Sequence, residues 1–351
     1  MIETPEPQID ALQQAAGTPI KDTPQQPLEV NSFTIPGEIK CRWNNIIPVA
    51  EQWTDQLQTT VAQLPEKNFN AAIQRRVVEL VLSKSALEQL TPEQRDFINQ
   101  HLESFGDLAG SGIPDLEDCV VMGLGRNSQA RRVDVGEATA HFADVQAMME
   151  AAAATSPLTQ LSEPPEGVEI IPIGPDHPQF EEYLALIDKL GYDREDTENE
   201  TCIVAVSNGR VVGSIMTIDD GFEASRGEQR FNVSRVEITG AYTLPEFRGQ
   251  RIYSHLLKTM MTQLAHTGVN IVEGCTKDNI PILKAVAHSG RRITSPLAEA
   301  AGLRPHGLPN HAPDEHGNLV THFMNFLPQQ ELRSMYLEPR DHLTTFAESG
   351  V

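Results

Sequence analysis

Residues 234–274 read SRVEITGAYTLPEFRGQRIYSHLLKTMMTQLAHTGVNIVEG, a run whose pattern is strand, turn, helix and strand. Val236 to Leu244 carries the β-branched and aromatic residues of a strand. Pro245-Glu246 ends it, because proline has no N–H for a sheet ladder. Arg248-Gly249-Gln250-Arg251 makes a tight basic turn, and Ile252 then opens a helix. Its apolar residues, Ile252, Leu256, Leu257, Met260, Met261 and Leu264, recur in steps of three and four, which predicts one buried face. Thr267-Gly268 stops the helix, and Val269 to Val272 begins the next strand.

The turn has the parts of an anion seat. A helix start leaves backbone N–H groups unpaired and carries partial positive charge. A glycine lets a ligand approach the backbone closely, and flanking arginines add full charge, which together suit a pyrophosphate. The same residues also fit a plain strand-to-helix connection with no ligand.

TLPEFRGQRIYSHLL, residues 243–257, resembles the coenzyme-A-binding motif of the GNAT acetyltransferase superfamily, Arg/Gln-x-x-Gly-x-Gly/Ala after a strand that ends in a Pro-Glu turn. Arg248 stands at the first motif position, Arg251 where the first glycine is usual, and Tyr253 where the second small residue is usual; Gly249 is kept. The wider segment VEITGAYTLPEFRG is similar to the β-lysine acetyltransferase branch.

The resemblance implies an α/β (α+β) acyl-CoA N-acyltransferase fold with a central mixed sheet, and acetyl-CoA as co-substrate. It implies that Tyr242, Thr243 and Leu244 line the pantetheine arm through backbone groups. Arg248, Gly249, Gln250, Arg251, Ile252 and Tyr253 would hold the pyrophosphate. Asn279 matches an asparagine that commonly contacts the coenzyme, and Glu237, on the strand leading into the site, matches the usual position of the base. A strand glutamate facing solvent is the alternative. The tyrosine that often serves as general acid has no counterpart: Val286 stands seven residues after Asn279. Tyr242, Tyr253 or His288 are candidates to replace it, or the thiolate leaves without a dedicated acid. Gly307-Leu308-Pro309-Asn310-His311 resembles a substrate-side stretch of the β-lysine branch, which makes Asn310 and His311 the expected acceptor contacts.

The chain has 351 residues, 39% of them hydrophobic, enough for two domains with cores. Its formal net charge of −22 argues against a nucleic-acid grip, which needs clustered Lys and Arg. The same charge disfavours anionic membranes and suits an amine substrate. Four scattered cysteines with no CxxC pair read as reduced thiols, and Cys275 reads as a core residue rather than a nucleophile. No signal peptide or spanning run is legible, so the expected location is cytoplasmic. His306, His311, His316 and His322 are metal-ligand types, but their loose spacing is unlike a built zinc site, and no metal is expected.

Along the chain, residues 1–37 are a Pro/Gln-rich tail too apolar-poor to order. Residues 38–157 read as a mainly α-helical N-terminal domain of unknown role, with helical spacing over Ile46 to Leu64 and Phe69 to Leu90. Thr91-Pro92-Glu93-Gln94 carries a helix start signal, and Glu137 to Ala154 a further helix. Residues 158–166 are a linker, 167–330 the acetyltransferase-like domain and 331–351 a C-terminal tail. Within 167–330 the order is strand 168–173, helix 178–190, a hairpin around Asn208-Gly209, a polar loop over 221–229, the 234–274 unit, a helix from Ile280 and a last strand over 320–327. The expected function is N-acetyl transfer to a small-molecule amine or amino acid in a ternary complex, with a homodimer left open. The alternative is a degenerate domain that binds an acyl-CoA or a protein without turnover.

Overall fold

The computed structural model describes residues 46–68, 79–123, 135–155, 157–189, 201–219, 221–293, 295–303, 312–313, 319–320 and 322–337. The N-terminal tail, Asn310 and His311, most of the histidine-rich loop and residues 338–351 lie outside them. In chain order the helices are α1 (Asp55–Asn68), α2 (Lys84–Glu88), α3 (Pro92–His101), α4 (Val135–Ala153), α5 (Phe180–Lys189), α6 (Ile252–Ala265), α7 (Ile280–His288), α8 (Pro296–Ala300) and α9 (Gln329–Tyr336). The strands are β1 (Ile46–Ala50), β2 (Glu79–Ser83), β3 (Glu103–Asp107), β4 (Cys119–Gly123), β5 (Val168–Ile173), β6 (Cys202–Ser207) and β7 (Arg210–Asp219). They continue as β8 (Phe222–Arg226), β9 (Gln229–Val233), β10 (Arg235–Thr243), β11 (Ile271–Lys277), β12 (Ala312–Pro313), β13 (Leu319–Val320) and β14 (His322–Pro328).

Two six-stranded sheets organise these elements, in the orders β3-β4-β2-β1-β8-β9 and β14-β11-β10-β7-β6-β5. In the second sheet β5, β6, β7 and β10 are antiparallel, β10 and β11 parallel, and β11 and β14 antiparallel. The β6–β7 hairpin turns at Asn208 and Gly209, both at positive φ (51° and 74°), the geometry that favours this residue pair. Helix α6 packs its predicted face, Ile252, Leu256, Leu257, Met260, Met261 and Leu264, against Ile203, Ala205, Val212 and Ile215 of β6 and β7. Helix α5 covers the other side of those strands with Phe180, Tyr183, Leu184 and Ile187.

The segment before residue 158 departs from the mainly helical expectation. Helices α1, α3 and α4 are present, and Thr91 and Gln94 form the reciprocal capping box that the sequence signals. Yet residues 46–50 and 79–83, where the spacing predicts helix, are strands, and so are 103–107 and 119–123. The physical reason is burial on both faces. Leu80, Val81 and Leu82, and Cys119 through Met122, are all buried, so the alternation that marks a half-exposed strand is missing. Phe105, a few residues past the end of α3, lies in β3.

The expected polar loop over 221–229 is also corrected. Residues 222–233 form the β8–β9 hairpin, and β8 lies parallel to β1, with Ile46 opposite Glu223 and Ile47 opposite Ala224. The first described strand and a hairpin about 180 residues later therefore share one sheet. Between the sheets, Ile47, Val81, Phe105, Leu108 and Val121 pack with Phe222, Ala224, Ile271 and Phe326. Within the first sheet, Arg226 at the end of β8 adds polar links to the ends of its neighbours, donating to Asp118 at 2.6 Å and Glu51 at 2.7 Å. Helix α9 runs beyond the expected boundary at 330, with Leu332 fully buried and the Tyr336 hydroxyl donating to Ser289 O at 3.2 Å.

Gly106 shows how closely the sheets approach. Its φ is +118°, and a Cβ there would lie 2.9 Å from the Phe326 ring. Gly106→Ala is expected to lose about 3 kcal/mol, combining left-handed strain with overpacking. Gly167→Ala, at φ +75° with open space around it, should lose only about 1 kcal/mol. Urea unfolding midpoints of the two variants check the difference.

Candidate active site

The site grows from one irregularity in the second sheet. Strands β10 and β11 are paired at only three positions: Arg235 opposite Ile271, Val236 opposite Val272 and Glu237 opposite Glu273. Beyond these, β10 continues along β7 as far as Thr243, while β11 continues along β14 as far as Lys277. The two central strands part into a fork. A bulge between Thr239 and Tyr242 bends β10 at its start. Gly240 makes the bend at φ +57°, and a Cβ there would fall 2.8 Å from Met216 Cγ. Ser214 Oγ donates to Gly240 O at 3.1 Å and fixes the bulge from β7.

At the root of the fork, Glu237 is half-buried and stands in register with Glu273, which is almost fully buried. Strand alternation puts Arg235, Glu237, Ile271 and Glu273 on the same face. Arg235 Nε lies 3.7 Å from Glu273 Oε2, and its guanidinium carbon lies 5.0 Å from the centre of the Phe222 ring. The predicted base thus shares its face with a second carboxylate and a buried arginine, neither of which the sequence reading singled out. The signal was present: Glu273 is a charged residue inside an otherwise apolar strand, IVEGC.

The turn at the other end of β10 has the predicted form. Pro245–Phe247 is one turn of 3-10 helix, and Gly249 sits at φ +82° in open space. Arg248 Nε donates to Thr243 O at 3.1 Å, and its guanidinium lies 6.0 Å from the Tyr242 ring, so it folds back along the strand end. Arg251 is the N-cap of α6 and takes the left-handed conformation, φ 61° and ψ 17°, with no side-chain cap on the helix. This is the conformation a glycine adopts without strain. The arginine at that motif position therefore keeps the backbone path of a glycine while adding a charge. Gln250 and Arg251 are exposed, Ile252 is buried under β7, and Tyr253 is half-buried.

On the opposite side of the fork, Asn279 is exposed and caps α7, its Oδ1 accepting from Ile282 N–H at 3.4 Å. Val286, standing where a tyrosine is usual, is buried between α4 and α7. His288 ends α7, and burial holds its imidazole below the ordinary histidine pKa, against a smaller opposing hydrogen bond to the backbone of Ala152. A neutral imidazole at pH 7 suits accepting a proton more than donating one. Tyr242, Tyr253 and Glu237 all lie on the fork or its turn, whereas His288 faces α4. Cys119 and Cys202 are buried free thiols.

One further residue escaped the sequence reading. Arg291, just after α7, is buried beside Gly274 of β11, and nothing in the local sequence announces its burial.

Arg251→Gly is expected to raise stability by about 1 kcal/mol, because glycine relieves the left-handed strain. The same change should weaken binding of an anionic ligand at the turn. Denaturation and titration with coenzyme A, run on one variant, check both signs.

Residues 169–286 match the model of the acetyltransferase (GNAT) family. No curated protein matches the chain. Similar solved structures include a GNAT family acetyltransferase from Elizabethkingia anophelis with acetyl-CoA bound, at 16% identity and a TM-score of 0.32, covering 46% of this chain and 99% of that one. A Bacillus subtilis acetyltransferase in complex with CoA is similar at 14% identity and a TM-score of 0.31, covering 46% and 98%. For a probable N-acyltransferase from Enterococcus faecalis the values are 14% and 0.29, with 36% of this chain and 33% of that one covered, so the chain spans about a third of its length. The match to the acetyltransferase (GNAT) family thus lies on the residues that hold β10, the basic turn and α6.

Proposed function

We propose that the chain transfers an acetyl group from acetyl-CoA to a primary amine of a small molecule or amino acid, by direct attack in a ternary complex. The observation that carries this reading is the fork. From Ile238 to Thr243 β10 has no ladder pairing with β11, and the mouth of the fork is the basic turn at the start of α6. The residues present fit the coenzyme. The first N–H groups of α6 receive no side-chain cap, and Arg248 and Arg251 bring full charges to the same place. The side of β10 that leaves β11, at Tyr242 and Thr243, is where an amide-bearing arm would lie; Leu244 has its N–H on Val212 O and its carbonyl on Phe247 N–H.

Acetyl-CoA supplies an activated carbonyl as a thioester. The amine must arrive neutral, and Glu237, half-buried at the root of the fork, is the group that takes its proton, directly or through water. The shared face of Glu237 and Glu273 favours a cationic ammonium on approach. Tyr253, at the first turn of α6, and Tyr242, on β10, are the phenols that could return a proton to the departing thiolate. The acceptor contacts expected of Asn310 and His311 stay with this reading, at positions outside the described residues. A cytoplasmic location also stays with it; among the described residues no helix is long and apolar enough to cross a membrane.

Glu237→Gln is expected to lower kcat about a hundredfold or more while acetyl-CoA affinity stays within about twofold. Thiol release with a panel of amines, together with coenzyme titration, measures both. Unchanged turnover removes the base from this reading. In the wild type, acetyl-CoA and CoA at about 100 times their dissociation constants should add about 2.7 kcal/mol to stability, with ATP adding little. Melting curves check it, and no shift with either coenzyme overturns the acetyltransferase reading.

A further inference from the structure

Arg291 is 3% exposed and has no carboxylate partner among the described residues. Other buried or half-buried arginines nearby are compensated: Arg235 faces Glu273, and Arg292 binds both oxygens of Glu331. Arg291 has only neutral partners, Ser289 Oγ, which accepts from Nε at 3.2 Å, and the Tyr253 phenol, while Nη2 is buried with no hydrogen-bond partner. The end of α7 supplies a partial negative charge at Ser289, less than a full counter-ion. A guanidinium cannot neutralise itself by losing a proton, so burying it without an anion is unfavourable.

Its position is specific. The Cβ that Gly274 lacks would sit 2.6 Å from Arg291 Nη1, 3.3 Å from Ile238 O and 3.4 Å from Asn325 Oδ1. Ile238 is the first β10 residue beyond the paired root, and Gly274 the first of β11. The guanidinium therefore occupies the apex of the fork, in a notch that exists because residue 274 has no side chain. Asn325 is fully buried, and its Oδ1 also lacks a partner. Toward the mouth, the Tyr253 phenol lies beside the guanidinium. From Ile238 to Leu244 the strand covers at most about 20 Å, the scale of an extended pantetheine arm.

We propose that Arg291 receives a carboxylate at the far end of the acyl group, so that the chain accepts dicarboxylic acyl thioesters of the malonyl or succinyl type as well as acetyl-CoA. This rests on the reading of the fork as the acyl-CoA site. A thioester entering with its phosphates at the α6 turn points its acyl chain at the apex, and a carboxylate two or three carbons beyond the carbonyl supplies the missing counter-ion. The chemistry is otherwise unchanged. The amine nitrogen bonds to the thioester carbon, the C–S bond breaks with its electron pair going to sulfur, the amine proton leaves through Glu237, and the distal carboxylate is retained in the product amide.

The test is calorimetric titration of the full chain with CoA, acetyl-CoA, butyryl-CoA and succinyl-CoA, butyryl-CoA being the uncharged control for length. The expected result is binding of succinyl-CoA at least about tenfold tighter than butyryl-CoA, the scale of a charged hydrogen-bonded contact. In Arg291→Gln that preference should fall to within about threefold, with acetyl-CoA affinity retained. Gly274→Ala, which fills the notch, should erode the same preference. Equal wild-type affinity for the succinyl and butyryl thioesters, with CoA still bound, overturns this proposal alone. Failure of every thioester and of CoA to bind overturns it together with the acyl-CoA reading. The wild-type comparison stands even if the variants do not fold.

Discussion

Two neighbouring strands that stop exchanging hydrogen bonds in the middle of a sheet leave a row of backbone donors and acceptors facing one another across a gap. Everything distinctive about this molecule follows from that parting of β10 and β11 after Glu237 and Glu273. Backbone groups that lose a strand partner must be satisfied in another way, as Arg248 Nε does for Thr243 O, and a ligand with amide groups of its own is one such way. The bulge at Gly240 opens the gap, the β7 and β14 ladders hold its two walls, and the α6 turn sets positive charge at its entrance.

The walls are rigid because each is buttressed from a different direction. Helix α6 locks β10 to β7 through an apolar face that fills the space over Val212 and Ile215. Strand β14 carries Phe326 into the layer between the two sheets, where Gly106 of β3 lies against its ring. Asp107, one residue on, accepts from Leu297 N–H at 3.0 Å and from the Ser295 hydroxyl, anchoring the start of α8 to β3. Burial raises the Asp107 pKa, so this link is polar but carries its charge reluctantly. The N-terminal segment is thus structural support for the far wall of the fork.

What was legible in the sequence was what local chemistry determines. The strand-turn-helix unit, the Thr91 capping box, the Asn208-Gly209 hairpin and the α6 face each follow from residues within a few positions of one another. Strands β1, β2 and β4 were not legible. In β2 and β4 the central residues are buried on both faces, and in all three a short continuous apolar run gives a helix and a strand the same signature. Within the site, Glu237 and the basic turn could be found because motif and strand direction point to them. Arg251 looked like a departure from the glycine pattern, yet its backbone takes the left-handed conformation, a compromise invisible to residue identity. Glu273 and Arg291 acquire meaning only through register and tertiary burial: the one faces Glu237, and the other fills a notch defined by a glycine on a different element.

The parallel pairing of β1 with β8 has a consequence for how the chain is made. Ile46 meets Glu223, a partner synthesised about 180 residues later. At about 5–20 residues per second, β1 leaves the ribosome some ten to forty seconds before the strand that completes its sheet. During that interval the edge that β8 will cover stays open, next to a strand rich in isoleucine and valine. Contacts this distant in sequence make for slow closure. The molecule therefore depends on its last-made half to shield its first-made one, and the nascent chain, rather than the finished fold, is where it is most exposed to aggregation.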